Sequence, residues 1–192
     1  MPLICQAQES QWQLKKNKDN IKVYQKQLDG FKLKHHKAIT VIDVKPQVVL
    51  AVLQDSDACP QWVHDCKVNQ MVEMIDLTHR IFYTNIAAPL FLKDRDMYLK
   101  SDIDFSFDEN KYVIKLNSLP TYGETHKNRV RVIDVQMVWT IKTLSQDQTE
   151  VTYQVYIDPK TPIKTFVNRA ILDSVLKTMQ GLRDITKLKK YQ

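Results

Sequence analysis

The sequence predicts an α+β fold: a large, curved antiparallel sheet of about nine strands packed against one long C-terminal helix, with shorter helical structure between the early strands. Three observations carry this. Apolar and polar residues alternate over most of the chain before Asp158. Turn-forming Asp, Asn and Gly residues cut that alternation into segments. Beyond Pro162 the apolar spacing changes from two to three and four.

The clearest strand begins at Met97. Met97, Leu99, Ile103, Phe105 and Phe107 fall on one face, and Tyr98, Lys100, Asp102, Asp104 and Ser106 on the other, which is the pattern of a half-buried antiparallel strand. Ser101 is the one polar residue on the apolar face. Ile133, Val135, Met137, Trp139 and Ile141 share a face of the next long strand, and Val151, Tyr153, Val155 and Ile157 a face of the one after. Shorter strands are expected over 13–16, 21–27, 32–43, 67–75, 80–86 and 112–116, separated by turns at Lys18-Asp19-Asn20, Asp29-Gly30, Asp108-Glu109-Asn110 and Thr121-Tyr122-Gly123.

Two segments read as helices. Pro46 opens the first, with Val48, Val49, Val52 and Leu53 as its apolar stripe. The second follows the break between Pro159 and Pro162. Phe166, Val167, Ala170, Ile171, Val175, Met179 and Leu182 recur there at helical spacing, and some 22 residues give a rod of roughly 33 Å. A single helix cannot fill the concave side of so large a sheet. A cavity is therefore expected, of the apolar kind that receives small molecules.

Composition narrows the classes. With 192 residues, 43% of them hydrophobic, the chain can build one sizeable core. Three glycines, seven prolines and no internal repeat speak against linkers and disorder, so one domain over 1–192 is expected. No apolar run approaches the roughly 18 residues of a membrane span. Eight lysines against two aspartates between Lys15 and Lys37 read either as a solvated basic face or as one attracted to an anionic membrane surface. They are not interleaved with aromatics, and no nucleic-acid partner is expected. Cys5, Cys59 and Cys66 suggest neither a disulfide framework nor a paired metal motif. Met1–Ala7 is too short and lacks the basic region of a signal peptide; the chain reads as soluble and cytoplasmic, or as exported if that segment is the remnant of a longer leader.

Residues 85–100, NIAAPLFLKDRDMYLK, place three large apolar side chains after a proline and directly before a charged run. A loop with an apolar tip and an anchored base accounts for both halves.

Four stretches, residues 19–24, 55–62, 89–96 and 158–183, in that order resemble the START domain, the lipid-transfer module related to the steroidogenic acute regulatory protein. Asp19-Asn20-Ile21-Lys22-Val23-Tyr24 is similar to the family's opening strand, and 55–62 to its helical segment closing on a tryptophan. Pro89-Leu90-Phe91 before Arg95-Asp96 resembles the family's loop and following strand. Asp158-Pro159 with the helix ending Leu176-Lys177-x-Met179-x-Gly181-Leu182-Arg183 resembles its lid. The resemblance spans about 12–182. It implies the helix-grip fold, with two short helices between early strands, a core of about 12–185, and an internal tunnel for one lipid. It also implies a gate formed by loop 87–94, including Pro89, Leu90, Phe91 and Leu92, with Arg95 and Asp96 anchoring its base. Transient membrane contact and a monomer follow by the same likeness.

Within this frame alternation nominates Val68, Val72, Phe82, Leu99, Ser101, Ile103, Val135, Met137 and Trp139 as tunnel walls, with Phe166, Ile171, Val175 and Met179 from the lid. Several relatives place an arginine at the position of Ser101 and an acid at that of Val68. The sequence lacks both, a coherent joint loss because an unpaired buried charge is costly.

No catalytic or cofactor signature emerges. Gly30, Gly123 and Gly181 are isolated, and neither H-E-x-x-H nor G-x-S-x-G occurs. Cys59, His64, Asp65 and Cys66 fit no zinc spacing. His35 and His36 point to opposite faces of a strand, and Asp102 and Asp104 lie on a polar, outward one. The alternative to a carrier is a cyclase- or hydratase-type enzyme of the same superfamily. It would need an inward acid or base, for which Tyr83, Asn85 and Tyr153 are the nearest candidates.

Overall fold

The computed structural model describes residues 11–88, 92–161 and 164–192. Three strands, β1 (Gln13–Lys18), β2 (Ile21–Lys26) and β3 (His35–Ile42), lead into helix α1 (Pro46–Gln54) and the short α2 (Cys59–Trp62). Then come β4 (Cys66–Met74), β5 (His79–Ile86), β6 (Asp94–Ser106), β7 (Lys111–Ser118), β8 (Arg129–Arg131), β9 (Val135–Ser145) and β10 (Gln148–Ile157). Helix α3 (Lys164–Ile185) closes the fold. The sheet runs β1-β2-β3-β10-β9-β7-β6-β5-β4, antiparallel throughout. This is the helix-grip arrangement.

The nine expected strands are present. The tenth, β8, pairs parallel to the start of β6 and escaped the sequence reading, since three residues cannot display a period. Two inward assignments fail at strand ends. Phe107 lies past the end of β6, 85% exposed, with its ring edge-on to Phe105. Ile133 precedes β9 and is exposed; its carbonyl accepts from Ser118 Oγ at 2.9 Å.

The cysteine reading is also corrected. The turn of α2 brings Cys59 and Cys66 to a Cα separation of 6.0 Å, within bridging range, and they form a disulfide. Cys5 lies outside the described residues.

The core is lopsided. The C-terminal half of α3 buries Val175, Leu176, Met179, Leu182 and Ile185 in one cluster with Ile21 and Val23 of β2, Ala38 of β3, Val49 and Val52 of α1 and Trp62. Gly181 makes this approach possible: a Cβ there would meet the Trp62 carbonyl oxygen at 2.2 Å. The N-terminal half of α3 has a smaller bed to one side only, where Val167 packs with Leu33 and Tyr156.

Candidate functional site

Under that half lies a cavity of about 310 Å³, bounded by α3 above and by β5, β6, β7, β9 and β10 below. A site for one water needs only about 10–15 Å³. The hollow follows from geometry: α3 packs on β2, β3, α1 and α2 at one side of the curved sheet, and its remaining turns bridge the concave face.

Nominated walls divide on this point. Phe82, Leu99, Ser101, Ile103, Met137 and Trp139 line the cavity from the sheet, and Phe166, Ile171 and Val175 from the helix. Met179 is fully buried in the solid half of the core, and Val135 in a separate cluster with Met97, Leu99 and Val132. Val68 and Val72 face outward, about 40% exposed. A register shift between Cys66 and Val68 puts Val68 opposite Asn85, on the outer face of β5; a second, between Met71 and Glu73, leaves Val72 unpaired. Each bulge reverses the inward–outward parity that simple alternation assumes.

The same register brings in residues the sequence reading missed. Cross-strand partners share a face. Arg80 pairs with Ser101, and Phe82 with Leu99, so the β5 side chains lining the cavity are Arg80, Phe82, Thr84 and Ile86. The position vacant of arginine on β6 thus has an arginine directly across from it on β5. The Nη2 of Arg80 donates to the Leu77 carbonyl at 3.2 Å, while its Nε is buried without a partner. Trp62 also lines the cavity, and its Nε1 is likewise buried and unpartnered.

Polar contacts brace the edge of the cavity beside Leu92. Leu92, exposed, lines it; Pro89, Leu90 and Phe91 lie outside the described residues. Asp94 accepts from the Ala88 amide at 3.2 Å and from Lys67 Nζ at 2.7 Å, and the lysine contact holds its carboxyl below the usual range. Arg95 donates to the Lys93 carbonyl at 2.6 Å, to the Thr161 hydroxyl at 2.8 Å and to the Pro159 carbonyl at 3.3 Å. It joins the base of loop 87–94 to the segment entering α3. Asp96 faces the other way and is gripped by Arg131.

The bridging half of α3 is held through Asn168. Its carbonyl accepts from Gln25 Nε2 at 3.3 Å and lies 3.1 Å from His36 Nε2; its side-chain oxygen accepts from the Lys34 amide at 3.0 Å. His36 is fully buried, and desolvation pulls its pKa down to about 4.

Acid–base candidates fare poorly. Tyr83 and Asn85 sit on the outer face of β5, where Tyr83 donates to Asp96 Oδ2 at 3.4 Å. Tyr153 does line the cavity, stacked on Trp139 at 4.0 Å, but burial pushes its phenol pKa up. Among the described residues no group of three or more His, Cys, Asp or Glu is placed to hold a metal, and no helix is long and apolar enough to cross a membrane.

Comparison with known proteins bears on this arrangement. The family model of the START domain matches residues 4–187. An uncharacterised protein of Pseudomonas aeruginosa is 28% identical over 173 residues, covering 90% of this chain and 85% of its own. Among solved structures, a fragment of a STAR-related lipid transfer protein from Xanthomonas axonopodis superposes with a TM-score of 0.84 at 23% identity, over 92% of this chain and 99% of that one. A looser likeness, TM-score 0.57 at 8% identity over 80% and 93% of the two chains, links the fold to the Zhui aromatase/cyclase of a Streptomyces species. At such identities the superpositions speak to the fold alone.

Proposed function

The chain belongs to the START-domain family, and on that premise we propose that it is a non-catalytic carrier that holds one lipid or other hydrophobic molecule in the cavity beneath α3 and passes it through the mouth beside loop 87–94. The observation that carries this reading is the cavity itself, about 310 Å³ with walls that are mostly aliphatic and aromatic. Apolar walls with few polar groups suit an oily guest, and lining side chains such as Phe82, Leu99, Ile103, Met137 and Trp139 supply that surface.

The mouth supports transfer rather than storage. Leu92 and Phe166, each about half exposed, stand at the opening, with Lys93, Lys160 and Lys164 close by in sequence. Inserting an apolar side chain of this size into a bilayer contributes about 1.5–3 kcal/mol, and each nearby lysine adds about 1 kcal/mol on an anionic surface. Contacts of that strength are reversible. Loop 87–94 and the start of α3 act as the gate, and the functional unit is a single domain over 1–192.

Of the acid–base candidates the enzyme alternative nominates, only one lines the cavity. Tyr153, its one surviving candidate, has a phenol held protonated by burial. Organic extraction of the purified protein followed by mass spectrometry tests the carrier reading. A stoichiometric co-purifying lipid supports it. Protein free of lipid that also fails to move fluorescent phospholipid or fatty acid between vesicles contradicts it.

A further inference from the structure

Resting on the carrier reading, we infer that the guest is an amphiphile with an anionic head, a carboxylate or a phosphate, received by Arg80. Six buried side-chain polar atoms lack a hydrogen-bond partner among the described residues, and two of them belong to residues lining the cavity: Arg80 Nε and Trp62 Nε1. Both can only donate. The Ser101 hydroxyl, paired in register with Arg80, has no hydrogen-bond partner among the described residues either. Buried donors without acceptors are costly, and a ligand that brings acceptors relieves that cost.

Charge selects the acceptor. The other charged groups lining the cavity are engaged. Asp55 accepts from Tyr191 at 2.7 Å and Lys190 at 3.0 Å; Asp65 lies 3.3 Å from His64; Arg95 makes its three bonds at the mouth. Arg80 makes no ion pair among the described residues and has one hydrogen bond, to a neutral carbonyl. Arg80 is partly exposed, but its buried Nε edge borders the cavity with no carboxylate of its own, and the guanidinium fork matches carboxylate or phosphate oxygens. Arg80 lies at the opposite end of β5 from Ile86, which pairs with Arg95 at the mouth. The head therefore enters first and the tail trails toward loop 87–94.

The test uses delipidated full-length protein titrated with cis-parinaric acid and with its methyl ester at about pH 8, where a carboxylate is fully ionised. The acid binds about tenfold or more tightly than the ester, the scale of one charge-assisted hydrogen bond. Arg80→Gln abolishes that ratio, Arg80→Lys restores part of it, and Trp62→Phe narrows it. Equal binding of acid and ester by the native protein, or a ratio unchanged by Arg80→Gln, overturns the anionic head and leaves the carrier standing. Failure of both compounds to bind overturns the anionic head, and joined to a lipid-free extract and no vesicle transfer it overturns the carrier as well. Displacement of bound parinaric acid separates the sources: preference for oleate assigns a carboxylate, preference for oleoyl lysophosphatidate a phosphate, and preference for lysophosphatidylcholine contradicts the proposal.

Discussion

The guanidinium of Arg95 donates to the Thr161 hydroxyl at 2.8 Å, so two segments that border the cavity are pinned to each other by one side chain. Bonds to the carbonyls of Lys93 and Pro159 complete the joint. Charge-assisted bonds of this kind contribute about 1.5–3 kcal/mol. Arg95→Ala is expected to lower the melting temperature by several degrees and to speed release of a bound fluorescent fatty acid several-fold in stopped-flow measurements.

Asp96 is the buried counterpart on the other face of β6. Arg131 grips it at two points, Nε to Oδ1 at 3.0 Å and Nη2 to Oδ2 at 3.2 Å, while also donating to the carbonyls of Tyr122 and Glu124. The Asp96 side chain is almost wholly buried. Removing one partner strands the other, at about 3–5 kcal/mol. Chemical denaturation of Asp96→Ala should show a loss of that size, whereas Lys67→Ala, at an exposed contact with Asp94, should cost less than about 1 kcal/mol.

His36 couples the lid to pH. Its folded pKa of about 4 lies below the ordinary value of 6.5, because burial disfavours the charged ring. The unfolded chain then takes up a proton that the folded chain refuses. Stability is complete above pH 6.5 and falls as pH drops from 6.5 towards 4, by about 3 kcal/mol in all. The stability of His36→Gln, compared with that of the native protein across this window, should be flatter by about that amount.

The Cys59–Cys66 bridge closes a short loop that carries Trp62, Val63, His64 and Asp65 to the cavity. Chain-entropy arguments give a loop of this length about 2.5 kcal/mol. Replacing both cysteines with serine should reduce stability by roughly that amount, and reduction of the denatured protein should raise its thiol count by two.

Much of this was legible in the chain and some was not. The strands with clear alternation, 97–105 and 151–157, declared their inward faces, and the helical repeat after Pro162 located α3. Val68 and Val72 misled because a bulge leaves no mark in composition. Arg80 was readable in principle: once Phe82 is placed inward, a residue two positions away must follow. A strand spelled RIFYTNI has apolar residues on both faces, which hid the parity. The bridge between Cys59 and Cys66 depends on the turn of α2, and that turn is set by packing rather than by local pattern.

Everything turns on the space beneath α3, and filling it is the most direct test. Ser174 lines the cavity from the helix. In a packed core Ser174→Phe would cost about 1–3 kcal/mol in overpacking. Here the ring should enter empty space, leaving the unfolding free energy within about 0.5 kcal/mol of the native value while abolishing binding of parinaric acid. A variant destabilised by overpacking, or one that binds the fatty acid as well as the native protein does, would contradict the cavity as the carrier site.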